Sequence, residues 1–122
     1  MKEYSMMVIK TTLIKKLLGF DGYCLYPFIF MHTPSDKALY EHEMVHYREQ
    51  KKMFVIGWLF AYQFNKKFRL GCELRAYAAQ IRHSSNPEEY TWAAKHMVNL
   101  YNFDLTILEA HALLTEELNK KV

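Results

Sequence analysis

The sequence predicts an α+β fold, a small N-terminal antiparallel sheet packed on a bundle of roughly four to five helices. Three observations carry this prediction. Short aromatic and branched runs lie ahead of His32, whereas the rest of the chain has helical composition. Helix-start combinations recur at Thr33-Pro34-Ser35-Asp36 and at Asn86-Pro87-Glu88-Glu89. The 122 residues are 51% hydrophobic and 16% aromatic, enough for one core, whereas a second would leave each half too small to be stable. A single domain over residues 1–122 follows.

In chain order, Met6 to Leu18 mixes β-branched residues with lysines and reads as a strand followed by a short helix. Gly19-Phe20-Asp21-Gly22 is a turn signal. Tyr23 to Tyr26 and Pro27 to Met31 have strand length and composition, and Pro27 marks a strand start or an edge because it cannot donate to a ladder. Thr33 is expected to cap the next helix, with Pro34 at its first position and Asp36 beside its positive end, and no Gly or Pro interrupts it before Lys52. A second, apolar helix covers Met53 to Asn65. Phe68 to Gly71 reads as a connection and Cys72 to Arg82 as a third helix. Asn86 should cap a helix running to Leu100, and Asn102 or Asp104 a final one ending near Asn119.

Charge narrows the function classes. The net charge is +3, its lysines fall in separated pairs such as Lys51-Lys52 and Lys66-Lys67, and no Arg-rich run interleaves with aromatics, so no nucleic-acid partner is expected. Cys24 and Cys72 lack a CxxC spacing, and the N-terminus has no uninterrupted signal-peptide core. Both thiols are therefore read as reduced and the protein as cytoplasmic. The longest apolar stretch, Met53 to Tyr62, is shorter than the roughly 20 residues of a membrane span. Burial on most sides is the leading reading of this helix; the lesser one is contact with a membrane surface or a second copy through residues 53–64.

The chemistry concentrates at His42-Glu43-Met44-Val45-His46. Residues four apart share a helix face, so two imidazoles there can reach one tetrahedral ion. Glu43, rotated by about 100°, flanks the ion, where a general base can take a proton from water. The third ligand must come from elsewhere. Glu49 lies about 10.5 Å along the helix axis from His42, too far for one ion to take all three. Six residues after His46 stands Lys52, so the three-histidine metzincin pattern is absent. Glu73 is the best candidate, brought back if the apolar helix forms a hairpin.

These residues carry a resemblance. HExxH on one helix with a glutamate on a later one resembles the gluzincin zinc metallopeptidases. More closely, the chain is similar to short HExxH metallopeptidases of phages and bacteria, in which an aromatic strand like Tyr26 to Phe30 precedes the motif. An E-x-x-A-Y element like Glu73 to Tyr77 follows it. The likeness covers about residues 23 to 82. It implies a minimal zincin-like domain binding Zn2+ through His42, His46 and Glu73, with Glu43 as base, and a host-cytoplasmic location for a phage protein. Unlike thermolysin-like enzymes, the chain has Tyr77 where an acid stands four residues after the ligand glutamate, which leaves the partner of the histidines unassigned.

Other residues divide between two readings. The Tyr77 hydroxyl, one turn beyond Glu73, either supports a developing oxyanion or satisfies itself in the core. Arg75 is read as a surface or salt-bridge residue, Cys72 as a buried thiol, and His32 as a neighbour of the motif that can line the site. His83, His96 and His111 are read as structural or exposed, although one of them could stabilise the transition state. The leading expectation is a zinc-dependent peptidase acting on peptide or protein substrates, with Phe28 to Met31 offering an edge to an extended peptide. The rivals are a metal-binding regulatory or interaction protein without effective protease activity, and a helical interaction module in which the motif is accidental.

Overall fold

The structure, a computed structural model, describes residues 8–18, 20–33 and 35–120. The turn residue Gly19, the reading of Pro34 as a first helical residue, and Met6 and Met7 of the expected strand lie outside these. The described elements are β1 (Val8–Lys10), α1 (Leu13–Leu18), β2 (Gly22–Leu25), β3 (Phe28–Met31), α2 (Lys37–Met53), α3 (Val55–Phe64), α4 (Lys66–Arg82), α5 (Glu89–Leu100) and α6 (Ile107–Leu118). The α+β class is as expected, with the short α1 added to five longer helices.

The sheet differs in one pairing. Its order is β1-β3-β2, with β2 antiparallel to β3 (Cys24 opposite Ile29) and β1 parallel to β3 (Ile9 opposite Phe30). Two residues, Tyr26 and Pro27, join β2 to β3, and so short a link permits only antiparallel pairing. The longer passage through α1 lets β1 reach the far side of β3. Phe28 to Met31 is therefore the central strand and offers no edge. That expectation is corrected: the edge nearest the motif helix belongs to β2. Alternation then sets the packing, with Cys24, Ile29 and Met31 turned inward onto Leu39 and Tyr40 of α2.

Several helix starts are corrected too. Asp36, not Thr33, caps α2, its carboxylate accepting the Leu39 N–H at 3.0 Å. Phe68 to Gly71 is no connection: Asn65 alone separates α3 from α4, and its side chain accepts the Phe68 N–H at 3.0 Å. Arg69 makes so tight a link workable, donating to the Tyr62 and Gln63 carbonyls at 2.7 and 3.2 Å and so satisfying the end of α3. Asn86 accepts the Glu88 N–H at 2.9 Å in a turn just ahead of α5. For α6 the cap is Thr106, in a reciprocal box with Glu109 worth about 1 kcal/mol. Asn102 and Asp104 instead take left-handed φ of 56° and 59°, a conformation that short polar side chains tolerate, and turn the chain into the helix.

The helices pack around Tyr77, Ala93, Ala94, Met97, Tyr101, Phe103, Ala110 and Leu114. Between α2 and α4 the contact is extensive, and the small buried residues Cys72 and Ala76 beside Glu73 let the two helices approach. Helix α3 departs from expectation. It is not buried on most sides: Trp58 is its one buried residue, while Ile56, Phe60 and Phe64 face outward.

Candidate metal centre

His42 and His46 lie one turn apart on α2, with ring centroids 5.1 Å from each other. The hairpin through α3 brings α4 alongside, and Glu73 projects between them. Its Oε1 is 3.3 Å from His42 Nε2, and its Oε2 is 3.1 Å from His46 Nε2. All three residues are at most 5% exposed. Donor atoms held at roughly 2.0–2.1 Å by one tetrahedral ion stand about 3.3 Å apart, so these spacings fit a shared cation. Among the described residues Glu73 Oε1 has no hydrogen-bond partner, as suits a buried oxygen available to a cation. His42, His46 and Glu73 form a group that can hold a metal ion.

Without an ion the charges shift towards one another. Burial opposes a charged His46, but the Glu73 carboxylate and its bonds to Glu49 and Glu73 hold the proton, so its pKa stands well above the usual 6.5. Burial likewise opposes ionisation of Glu73, and the two imidazoles more than offset it, leaving Glu73 far below the ordinary carboxylate range.

The partner that the missing acid left unassigned is Glu49. Its Oε1 lies 3.4 Å from His46 Nδ1 and accepts the Trp58 indole N–H at 3.2 Å. Its Oε2 receives Arg75 Nε at 2.9 Å and Nη2 at 2.8 Å. Arg75 is thus a salt-bridge residue, as expected. Desolvation pushes Glu49 upward, but His46 and Arg75 outweigh it and keep it ionised. A carboxylate on the far nitrogen of a ligand histidine fixes its tautomer and ring plane. Sequence reasoning weighed Glu49 only as a ligand; its position three after His46 was the signal for this other role. Among the described residues His42 Nδ1 is buried without a hydrogen-bond partner, so the two histidines are held differently.

Two further supports carried no sequence signal. The Tyr62 hydroxyl donates to Glu73 Oε2 at 2.5 Å, and Trp58 stacks on Tyr62 with centroids 4.6 Å apart. The inner face of α3 therefore closes over the ligands.

Glu43 is 3% exposed beside the two histidines, and burial raises its pKa. Its Oε1 has no hydrogen-bond partner among the described residues, while a Cβ at Gly22 would meet its Oε2 at 3.0 Å. Any side chain at Gly22 would press this carboxylate aside by a few tenths of an ångström. A cleft of about 500 Å³ opens onto the group, lined by Gly22, Tyr23, Trp58, Tyr62 and Tyr101 together with His42, Glu43, His46 and Glu73.

Tyr77 packs its ring edge-on against His42 at 4.3 Å, and its hydroxyl is engaged with that of Tyr101 at 2.9 Å. His96, beside Trp92 with ring centroids 3.7 Å apart, lines a narrow recess that also reaches His42 and Glu43. His32 is not among the residues lining either space. His83 bonds the Ala79 carbonyl, and His111 stacks on Tyr90 at 4.2 Å; both are exposed. Cys24 and Cys72 are buried and free. No family model, curated protein or solved structure matches the chain.

Proposed function

We propose that the protein is a zinc-dependent peptidase, with His42, His46 and Glu73 holding the ion and Glu43 as general base. The observation that carries this reading is the Glu43 carboxylate. It lies buried beside a group able to hold a metal, one oxygen has no hydrogen-bond partner, and the cleft reaches it. Two imidazoles and one carboxylate with room for a fourth position suit zinc among common cations. When bound, zinc supplies a Lewis acid that polarises a peptide carbonyl and lowers the pKa of water towards neutrality.

The residues divide the remaining work. Glu43 takes the proton from the attacking water at its free oxygen and returns it to the departing amine. Glu49 and Tyr62 hold His46 and Glu73 in place, so no ligand has to reorganise during the reaction. His96, whose pKa is lowered mainly by burial, lines the recess that reaches His42 and Glu43, and we assign it as donor to a developing oxyanion. An extended peptide would lie along β2, whose residues Gly22, Tyr23 and Cys24 line the cleft. Cytoplasmic placement belongs to the same reading and rests on two cysteines that stand buried and free. No described helix is long and apolar enough to cross a membrane.

A second reading, metal binding for regulation without effective hydrolysis, is favoured by how deeply the four central residues are buried. Glu43→Gln separates the two. Protein purified without a polyhistidine tag should carry close to one equivalent of zinc as parent and as variant, with peptide hydrolysis lost only in the variant. Zinc far below one equivalent in the parent defeats both readings. Undiminished hydrolysis in Glu43→Gln defeats the assignment of the base.

A further inference from the structure

Helix α3 has two unlike faces. Trp58 and Tyr62 point inward to Glu49 and Glu73. Outward, spaced four apart, stand Ile56, Phe60 and Phe64, with 73%, 64% and 74% of their surfaces exposed. Phe54 ahead of the helix is 82% exposed, and a side chain at Gly57 would meet nothing within 4 Å. No charged residue interrupts Val55–Phe64. Exposed aromatic and branched surface is unfavourable at about 25 cal/mol per Å², so a face this continuous signals contact with something apolar. Phe54 adds an independent sign. It adopts a φ of 65° with a ψ of 137°, where glycine is the low-cost residue, yet a largely exposed phenylalanine occupies it.

Charge identifies the occupant. Arg48, Lys51 and Lys52 lie exposed at the end of α2, and Lys66 and Lys67 lie exposed at the start of α4, so basic groups flank the apolar face at both ends. Lys66 meets Asp104 at 2.6 Å, and the face itself carries no acid. A second copy fits poorly. Either two-fold packing of α3 on α3, parallel or antiparallel, sets lysines against lysines. An anionic lipid surface suits both features, taking the aromatics into the acyl boundary and the lysines at its headgroups. Ten residues of helix extend only about 15 Å, so α3 would lie in the interface and not cross it.

We propose that the outward face of α3, with its flanking lysines, docks the protein on anionic membranes. Because the inward face of the same helix lines the cleft, docking would hold that cleft within about a helix's breadth, roughly 10–12 Å, of the bilayer. If the peptidase reading holds, the substrates are peptide segments presented at a membrane surface.

The test is co-sedimentation of the full chain with phosphatidylcholine vesicles, with and without phosphatidylglycerol, which involves no hydrolysis and stands or falls apart from the enzymatic reading. The parent should bind the anionic vesicles, and less so as salt rises. Phe60→Ser with Phe64→Ser should lower the partition coefficient at least about tenfold, and so should Lys51→Gln, Lys52→Gln and Lys67→Gln together. Circular dichroism checks the fold of each; should the phenylalanine variant unfold, the lysine variant decides. Absence of binding to anionic vesicles overturns the proposal. So does binding that neither set of substitutions weakens. A concentration-dependent dimer in analytical ultracentrifugation, abolished by Phe60→Ser and without vesicle binding, overturns it by assigning the face to a second copy.

Discussion

Replacing Glu49 by glutamine removes one negative charge and leaves the side-chain volume almost unchanged. Three contacts are affected: His46 Nδ1 at 3.4 Å, Trp58 Nε1 at 3.2 Å and the Arg75 guanidinium at 2.8 Å. They predict different observables. The Arg75 side chain is 48% exposed, so solvent screens its pairing and the loss costs no more than about 1 kcal/mol of folding stability. The His46 contact acts on the ligand itself. Loss of a carboxylate behind a metal-binding histidine typically weakens affinity about 10- to 100-fold, roughly 1.4–2.8 kcal/mol. Glu49→Gln should therefore weaken zinc binding by one to two orders of magnitude in competition with a chromophoric chelator. Denaturation of the metal-free protein should shift by less than the zinc affinity does, since Glu49 is only one of the groups that hold the His46 proton. Because no described residue hydrogen-bonds His42 Nδ1, none of them can compensate on that histidine. An unchanged zinc affinity, or a stability loss larger than the affinity loss, would refute the orienting role of Glu49.

Three other outcomes follow from the same geometry. Tyr62→Phe deletes a hydrogen bond to an ionised carboxylate, of the kind worth about 1.5–3 kcal/mol; at least a tenfold drop in zinc affinity is expected, and titration of parent against variant checks it. Gly22→Ala forces a methyl to 3.0 Å from Glu43 Oε2, so hydrolysis should fall sharply while zinc content stays near one equivalent, as measured by elemental analysis and a peptide assay. In the metal-free protein, the raised pKa of His46 contributes stability that is full below about 6.5 and is lost as pH rises through the folded value. The depressed Glu73 contributes stability present above about 4.5 and lost as pH falls through its own folded value. Metal-free stability should thus decline above neutrality. Zinc must displace the His46 proton, so zinc affinity should rise over the same range and calorimetry in two buffers should register proton release near pH 7.

How much of this was legible beforehand depended on whether the signal was local. Two histidines and a glutamate in one helical turn declare their geometry through the helix period alone, and Glu73 was reachable as the third member of the group because an axial distance excluded Glu49. The role of Glu49 was missed for the opposite reason: a residue rejected as a ligand can still stand behind one, and that requires only a neighbouring turn. Tyr62 and Trp58 gave no signal, since an aromatic in an apolar run looks the same whether it meets a carboxylate or the core. Asn65 and Thr106 were overlooked as caps because Gly71 and the Asn102–Asp104 stretch carried more conspicuous breaker residues, whereas a satisfied cap decides a helix start. The parallel seat of β1 depends on where a connection returns the chain, which no short pattern encodes.

The electrostatics of the site argue for a cation in their own terms. Glu43 and Glu73 are buried within one group of residues, and Glu49 stands just behind, while among the described residues Arg75 is the single fixed positive charge in contact with any of the three. A protonated His46 balances Glu73, but Glu43 remains, its pKa raised by burial and one oxygen without a hydrogen-bond partner. A fold selected only for stability would replace such a set with apolar residues at no loss, since buried ion pairs seldom outperform good packing. Here α2, α3, α4 and β2 each give a residue to hold these charges in place, Gly22 by having no side chain at all. One divalent ion bound by His42, His46 and Glu73 would balance the carboxylates together. It would also allow His46 to lose its proton, and the paired titration and calorimetry above read that exchange directly.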